Sequence, residues 1–259
     1  MPELPEVETV VRSLAPHLPG RRILAAEFHS PHVTPGDRKA LANHLTGRTI
    51  LSVTRRGKFI VIGLDQGTCT VHLGMTGKLL LDTAPGRHAH GVFHLDSGVL
   101  VYDDPRQFGS IQWDADLTKL GPEPLEISLD DFVARLKKRK TRMKALLLDQ
   151  SFVAGIGNIY ADEILFAAKV HPLASAARLS KPRADLVYQA MREILALAIE
   201  HRGSSISDYV DAGGQRGGFQ LLHNAYGREG EPCLRCFAPI QKILVAQRGT
   251  HFCPRCQKK

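Results

Sequence analysis

The stretch from Ile50 to Leu73, ILSVTRRGKFIVIGLDQGTCTVHL, decides how the first half of this chain folds. It contains three short runs rich in β-branched residues, Ile50–Thr54, Phe59–Leu64 and Thr68–Leu73. Between them lie the turns Arg55-Arg56-Gly57-Lys58 and Asp65-Gln66-Gly67. Runs of this length, bounded by turn residues, predict antiparallel hairpins rather than helix. Downstream the pattern repeats at Leu79–Asp82, Gly91–Asp96, Val99–Tyr102 and Ser110–Trp113, with Asp96-Ser97-Gly98 as another hairpin turn. Upstream, Arg22–Phe28 predicts a further strand and Lys39–Leu45 a short helix. Many short strands at close spacing predict an antiparallel sandwich or barrel. This first domain, with flanking helices, is expected over residues 1–130.

The chain opens Met1-Pro2-Glu3-Leu4-Pro5-Glu6-Val7-Glu8. Val7, Val10, Val11 and Leu14 recur at helical spacing, and acids near a helix start favour its dipole. The same residues admit a chemical reading. Trimming Met1 would leave Pro2 with a terminal secondary amine, and α-amino groups titrate about two units below lysine. Such an amine can attack a sugar carbon near neutral pH and form a Schiff base, with Glu3 beside it to move the proton.

After the strands comes a dense basic run, Arg135, Lys137, Lys138, Arg139, Lys140, Arg142 and Lys144, expected as a linker over residues 131–144. A third region, 145–259, turns helical. Ala145–Asp149 leads into a turn containing Gly155 and Gly157, Asn158 is expected to cap a helix over Ile159–Ala168, and Ser180-Lys181-Pro182 opens a longer one. The apolar face of that longer helix is read as Leu186, Val187, Met191, Ile194, Leu195 and Ala198. Residues 203–219 are rich in Gly and Ser, a composition shared by flexible connectors and by lids that order over a substrate. The fold class is therefore α+β in two domains.

Composition narrows the function. With 259 residues the chain accommodates two domains, and a net charge of +8 favours a polyanionic partner. No apolar run reaches the roughly 20 residues needed to span a bilayer, and the N-terminus carries no export pattern, so a cytoplasmic location is expected. Four of the five cysteines form two C-x-x-C pairs, Cys233/Cys236 and Cys253/Cys256, separated by sixteen residues. That spacing predicts one structural zinc in a four-thiolate shell with no open position, flanking a β-hairpin with Lys242, Arg248 and Thr250. Cys69 reads as a small buried side chain, and His88-Ala89-His90 as a half-exposed strand face rather than a metal pair. Gly74-Met75-Thr76-Gly77 and Asp104-Pro105-Arg106-Gln107-Phe108-Gly109 put Met, Arg and Phe on two loops. Such side chains can wedge between base steps and hydrogen-bond an orphaned base.

The N-terminal Pro-Glu-Leu-Pro-Glu-Val-Glu-Thr, the Asp-Pro-Arg-x-Phe-Gly loop, the Gly-Ile-Gly-Asn-Ile-Tyr-Ala segment and the closing cysteine pairs occur in one order. That combination resembles bacterial formamidopyrimidine-DNA glycosylase along the whole chain. The resemblance implies a β-sandwich followed by a helix–two-turn–helix domain and a zinc ribbon, acting as a monomer on damaged double-stranded DNA. It implies excision of 8-oxoguanine and formamidopyrimidines, then strand cleavage by β,δ-elimination. By the same resemblance Pro2 is the nucleophile, Glu3 the acid–base group, Lys58 a phosphate-binding catalytic lysine and Glu6 a supporting carboxylate. Met75, Arg106 and Phe108 fill the gap left by the flipped nucleotide, and Arg106 faces the opposite cytosine. His88, Asn158 and Arg248 stand among the DNA contacts, and Asp211–Phe219 forms the lid. Gln107 departs from the second basic residue often found there. Endonuclease VIII-like enzymes are the nearest alternative, but they usually have Gly where this chain has Leu4. A non-catalytic DNA-binding protein is the alternative from another class.

Overall fold

In the computed structural model, which describes residues 1–206 and 208–259, the chain forms two units. The first comprises Met1–Leu117 and His201–Gly218, the second Thr118–Glu200 and Phe219–Lys259.

In the first unit, α1 (Leu4–Leu14) precedes β1 (Ile23–Phe28), α2 (Arg38–Leu45), β2 (Ile50–Arg56), β3 (Phe59–Leu64), β4 (Thr68–His72), β5 (Lys78–Leu81), β6 (Ala89–Leu95), β7 (Val99–Asp103) and β8 (Ser110–Trp113). Two four-stranded sheets result, ordered β1-β6-β7-β5 and β2-β3-β4-β8. Every strand pair is antiparallel. Period-2 alternation along β3 buries Ile60, Ile62 and Leu64, which join Val71, Phe93, Leu100 and Ile111 in one core. Phe28 meets Phe93 edge-on at 5.6 Å. Helix α1 adds Val7, Val10 and Leu14, each at most 1% exposed; burial of such a side chain is worth about 1.5–3 kcal/mol. Asp37 caps α2 by accepting the backbone N–H groups of Lys39 (2.8 Å) and Ala40 (3.2 Å).

The second unit holds α3 (Leu129–Lys137), α4 (Met143–Leu148), α5 (Asn158–Ala167), α6 (Lys181–Glu200) and the hairpin β9 (Gln241–Val245)–β10 (Arg248–Phe252). Its core includes Phe132, Leu136, Met143, Leu147, Tyr160, Ile164, Val187 and Met191. Among the described residues, no helix is long and apolar enough to cross a membrane.

The structure divides the chain differently from the sequence reading. The stretch 131–144 does not run between the two units: it holds the rest of α3, the start of α4 and the short connection 138–142, with Phe132, Leu136 and Met143 fully buried. Its cations dominate the composition, but the few apolar residues among them decide the fold. The first boundary falls at Leu117/Thr118 rather than at residue 130. Residues 201–218 return to the first unit, where Tyr209 and Ala212 enter the sandwich core. Asn158 is the first helical residue of α5, and Gly157 takes the cap position. Leu186 is 49% exposed, because α6 turns Ala184, Val187, Ala190 and Met191 inward instead.

Candidate active site and nucleic-acid interface

Three ionisable side chains near the turns of the first unit are buried. Glu3, Glu6 and Lys58 are only 2%, 2% and 6% exposed, and Pro2 is buried with them. Taking such groups from water is costly unless each gains partners. Glu6 has them on both oxygens: Oε2 accepts the Glu3 N–H at 2.8 Å and Oε1 the Ser204 N–H at 2.6 Å. The first bond closes the N-terminal turn of α1. The second fastens α1 to the returning segment, where Gly203 lies at φ +76° and a Cβ would come within 2.6 Å of Glu6 Oε1. Tyr209 adds a bond from its hydroxyl to the Glu6 carbonyl at 3.1 Å.

Lys58 follows Gly57 (φ +56°) in the turn between β2 and β3. Arg55, near the end of β2, donates from Nε to Glu8 Oε2 at 2.9 Å, binding the strand to α1, and from its guanidinium to the Gly57 carbonyl in the turn at 3.1 Å. Burial disfavours the charged form of Glu8, but bonds from Arg12 and Arg55 outweigh it and hold its pKa below the ordinary carboxylate value. His72, on β4, is pulled down to about 4 by burial and then by the Lys58 charge, so it stays neutral beside that lysine. Its Nδ1 accepts the Gly74 N–H at 3.2 Å.

Met75 and Phe108 are 40% and 56% exposed on adjacent loops. The Arg106 guanidinium lies 4.5 Å from the centre of the Phe108 ring. Gly74 (φ +59°) lets the loops touch through their backbones, since a Cβ there would overlap Phe108 and Gly109. Gln107 has φ +54° and accepts a hydrogen bond from the Ser30 hydroxyl through its side-chain oxygen. His88 supports the same loop from behind, its carbonyl accepting the Asp104 N–H at 3.0 Å. In the returning segment, Asp211 accepts the N–H groups of Gly213 (3.0 Å) and Gln215 (2.8 Å) and pairs with Arg202, so this part of the expected lid is already a tight turn.

In the second unit, Asn158 donates from Nδ2 to the Gly249 carbonyl at 2.9 Å, next to Arg248, which is exposed at the start of β10. Gln150 organises the turn before α5, donating to the Leu148 and Ile156 carbonyls and accepting from Gly155 N–H. The Sγ atoms of Cys233, Cys236, Cys253 and Cys256 all lie within 4.8 Å of one another, with pairs at 3.4 and 4.0 Å. Four thiolates about 2.3 Å from a central zinc would be roughly 3.8 Å apart, so the cluster fits one tetrahedral ion. Two backbone N–H groups, of Arg235 and Cys256, already point at sulfurs.

Several residues that hold these parts were missed in the sequence: Arg55, Glu8, His72, Ser204, Tyr209 and the pair Asp162–Glu163 on α5. Of these, only the Glu8–Arg12 spacing, i to i+4, carried a readable local signal.

Comparison with known proteins agrees along the whole chain. Residues 1–111 match the formamidopyrimidine-DNA glycosylase N-terminal domain, 120–210 its H2TH domain and 230–259 the zinc finger found in FPG and IleRS. The chain is 55% identical to the formamidopyrimidine-DNA glycosylase of Solibacter usitatus and 44% identical to that of Carboxydothermus hydrogenoformans, over 100% of both chains in each case. The crystal structure of the MutM (FPG) protein from Thermus thermophilus is similar at a TM-score of 0.90 and 42% identity, covering 99% of this chain and 98% of that one. A Lactococcus lactis FPG mutant in complex with Fapy-dG-containing DNA is similar at a TM-score of 0.92 and 39% identity, covering 100% of both chains.

Proposed function

The chain belongs to the formamidopyrimidine-DNA glycosylase family, and from that membership we propose that it excises 8-oxoguanine and formamidopyrimidines from duplex DNA and then nicks the strand. The observation that carries this reading is that Pro2, Glu3 and Lys58, which the family resemblance marks as the reacting group, its acid–base partner and a phosphate-binding lysine, are all buried in the first unit, where ionisable side chains are rarely hidden from water.

The chemistry runs through the Pro2 nitrogen once Met1 is removed. That nitrogen attacks C1′ of the damaged nucleotide; the new C1′–N bond forms as the glycosidic bond breaks and the base leaves with a proton. Opening of the sugar ring gives an iminium, and loss of a C2′ proton then expels the 3′ phosphate; a second elimination releases the 5′ phosphate. Glu3 moves protons in these steps, and Glu6, with both oxygens engaged, holds the start of α1 still. Lys58, Arg248 and the second N–H of the Asn158 amide contact backbone phosphates, with His88 among the flanking contacts. These contacts position the duplex, while selectivity rests on the base pocket and Arg106. Turning the nucleotide out costs a few kcal/mol, which Met75, Arg106 and Phe108 offset by filling the vacancy. The four cysteines would hold a zinc ion that supplies folding energy to the ribbon and no reacting group. The protein acts as a monomer in the cytoplasm.

Borohydride added during turnover on 8-oxoguanine:C duplex should trap a covalent adduct at Pro2, with intact mass confirming that Met1 is absent. Pro2→Gly should lose most excision, and Glu3→Gln should bind lesion DNA without cleaving it. Protein with a verified free Pro2 that forms no adduct on that duplex would overturn the proposal. Preference for a thymine-glycol duplex would move the enzyme to the pyrimidine-excising class.

A further inference from the structure

We propose that Asp104 is a positioning residue that locks the Met75 loop and the Arg106–Phe108 loop into one rigid wedge. This inference rests on the reading of Met75, Arg106 and Phe108 as the trio that enters the duplex. Asp104 is completely buried, yet its side chain is held by neutral donors. Oδ1 accepts the Thr76 hydroxyl at 2.5 Å and the Arg106 N–H at 3.3 Å. Oδ2 accepts the Gly109 N–H at 2.9 Å and lies 3.2 Å from the Tyr102 hydroxyl. The same hydroxyl is 3.2 Å from the His72 carbonyl, at the end of β4 where the Met75 loop begins. One carboxylate therefore touches the residue after Met75, the backbone of Arg106 and the residue after Phe108.

The surrounding glycines show that the fit is close. A Cβ on Gly109 would overlap the Tyr102 hydroxyl and the His72 carbonyl, and one on Gly77 would lie 2.5 Å from the same hydroxyl. With Gly74 against Phe108 and Gly109, both loops pack backbone to backbone around the buried acid. A carboxylate suits this place because both oxygens accept. An amide would turn an N–H₂ group towards a backbone N–H, of Arg106 or of Gly109, and deprive it of its carboxylate acceptor, while the hydroxyl beside it would have to rotate to accept. Two side chains that enter a base stack together lose less freedom if their loops are already fixed to each other. The clamp thus sets the entropic cost of insertion, while Pro2 and Glu3 do the chemistry.

Two variants test it: Asp104→Asn, which keeps the shape, and Thr76→Val, which cuts only the link between loops. The readouts are the rate of unstacking, followed by 2-aminopurine beside an 8-oxoguanine:C pair, and the nicking of an abasic site in single-stranded DNA, which needs no insertion. Both variants should slow unstacking and excision in duplex about tenfold to a hundredfold, the worth of one or two hydrogen bonds to a charged group. Single-stranded nicking should stay within about twofold of the parent, and Thr76→Ser should restore the duplex rate. Met75→Ala and Phe108→Ala are measured alongside. If these two slow unstacking while Thr76→Val does not, the clamp is overturned and the wedge reading stands. If neither slows unstacking, the wedge reading itself fails and the clamp with it. Equal losses on duplex and single-stranded substrates would make Asp104 merely structural, which also overturns the proposal. Should Asp104→Asn not fold, Thr76→Val decides alone.

Discussion

His72, near Lys58, and Glu8, paired with Arg12 and Arg55, show how single groups set the acid limit of the first unit. A free histidine titrates near 6.5, but His72 stays neutral down to about 4 because burial and then the Lys58 charge oppose protonation. The unfolded chain binds a proton at His72 that the folded chain refuses, so this part of the stability is complete above pH 6.5 and declines as pH falls towards 4. The decline is at most about 1.4 kcal/mol per pH unit. Glu8 acts lower: its depressed pKa contributes stability that is present above its ordinary 4.5 and lost as pH falls through the folded value. His72→Asn keeps an acceptor for the Gly74 N–H but does not titrate. Urea unfolding between pH 4 and 6.5 should therefore show a shallower loss of stability in this variant, while Glu8→Gln should lower stability by a constant amount above about 4.5 and flatten the further loss below it. An unchanged slope in His72→Asn would show that the imidazole is protonated in the fold.

Helix α5 joins the parts of the second unit through two consecutive acids that point to different sides, as neighbours about 100° apart on a helix must. Asp162 pairs with Lys144 of α4 at 2.7 Å, both side chains fully buried, and accepts the His251 N–H of β10 at 2.9 Å. Glu163 accepts the N–H groups of Asn224, Ala225 and Tyr226 at 2.8–2.9 Å. Burial raises its pKa despite those three bonds. Lys144 also donates to the Asn158 carbonyl at 2.8 Å, so the last cation of the basic run is an internal strut and not a phosphate contact. Lys144→Met would leave Asp162 buried without its counter-charge, a loss of about 3–5 kcal/mol. The midpoint of urea unfolding measures this, and Lys144→Met paired with Asp162→Leu should recover part of it because no lone charge remains. A Lys144→Met variant as stable as the parent would show that the pair is water-accessible.

At the scale of the molecule, each unit has its own apolar core, and the ribbon hangs on the second. Arg235 spans the junction, donating to the Phe166 carbonyl at 2.7 Å and stacking 4.4 Å over the Phe166 ring. Gln257 bonds the Val170 carbonyl at 2.9 Å. Stripping zinc with a chelator should therefore release the β9–β10 hairpin, with Arg248, and abolish DNA affinity at chelator levels that leave the sandwich folded. Fluorescence of Trp113, the single tryptophan, reports the first unit and DNA anisotropy reports binding; simultaneous loss of both signals would refute the order. The sandwich strands, the opening helix, the turns that carry Met75 and Arg106–Phe108 and the four-cysteine shell were legible in the sequence because each rests on local spacing: period-2 or helical alternation, turn residues and C-x-x-C pairs. Only the tertiary structure decided that residues 201–218 complete the first unit, that Ser204 grips Glu6 and that Asp104 ties two loops together. Those bonds join residues as far as 203 positions apart, and no local pattern encodes a partner that distant; chain entropy is overcome there only when the whole core has assembled.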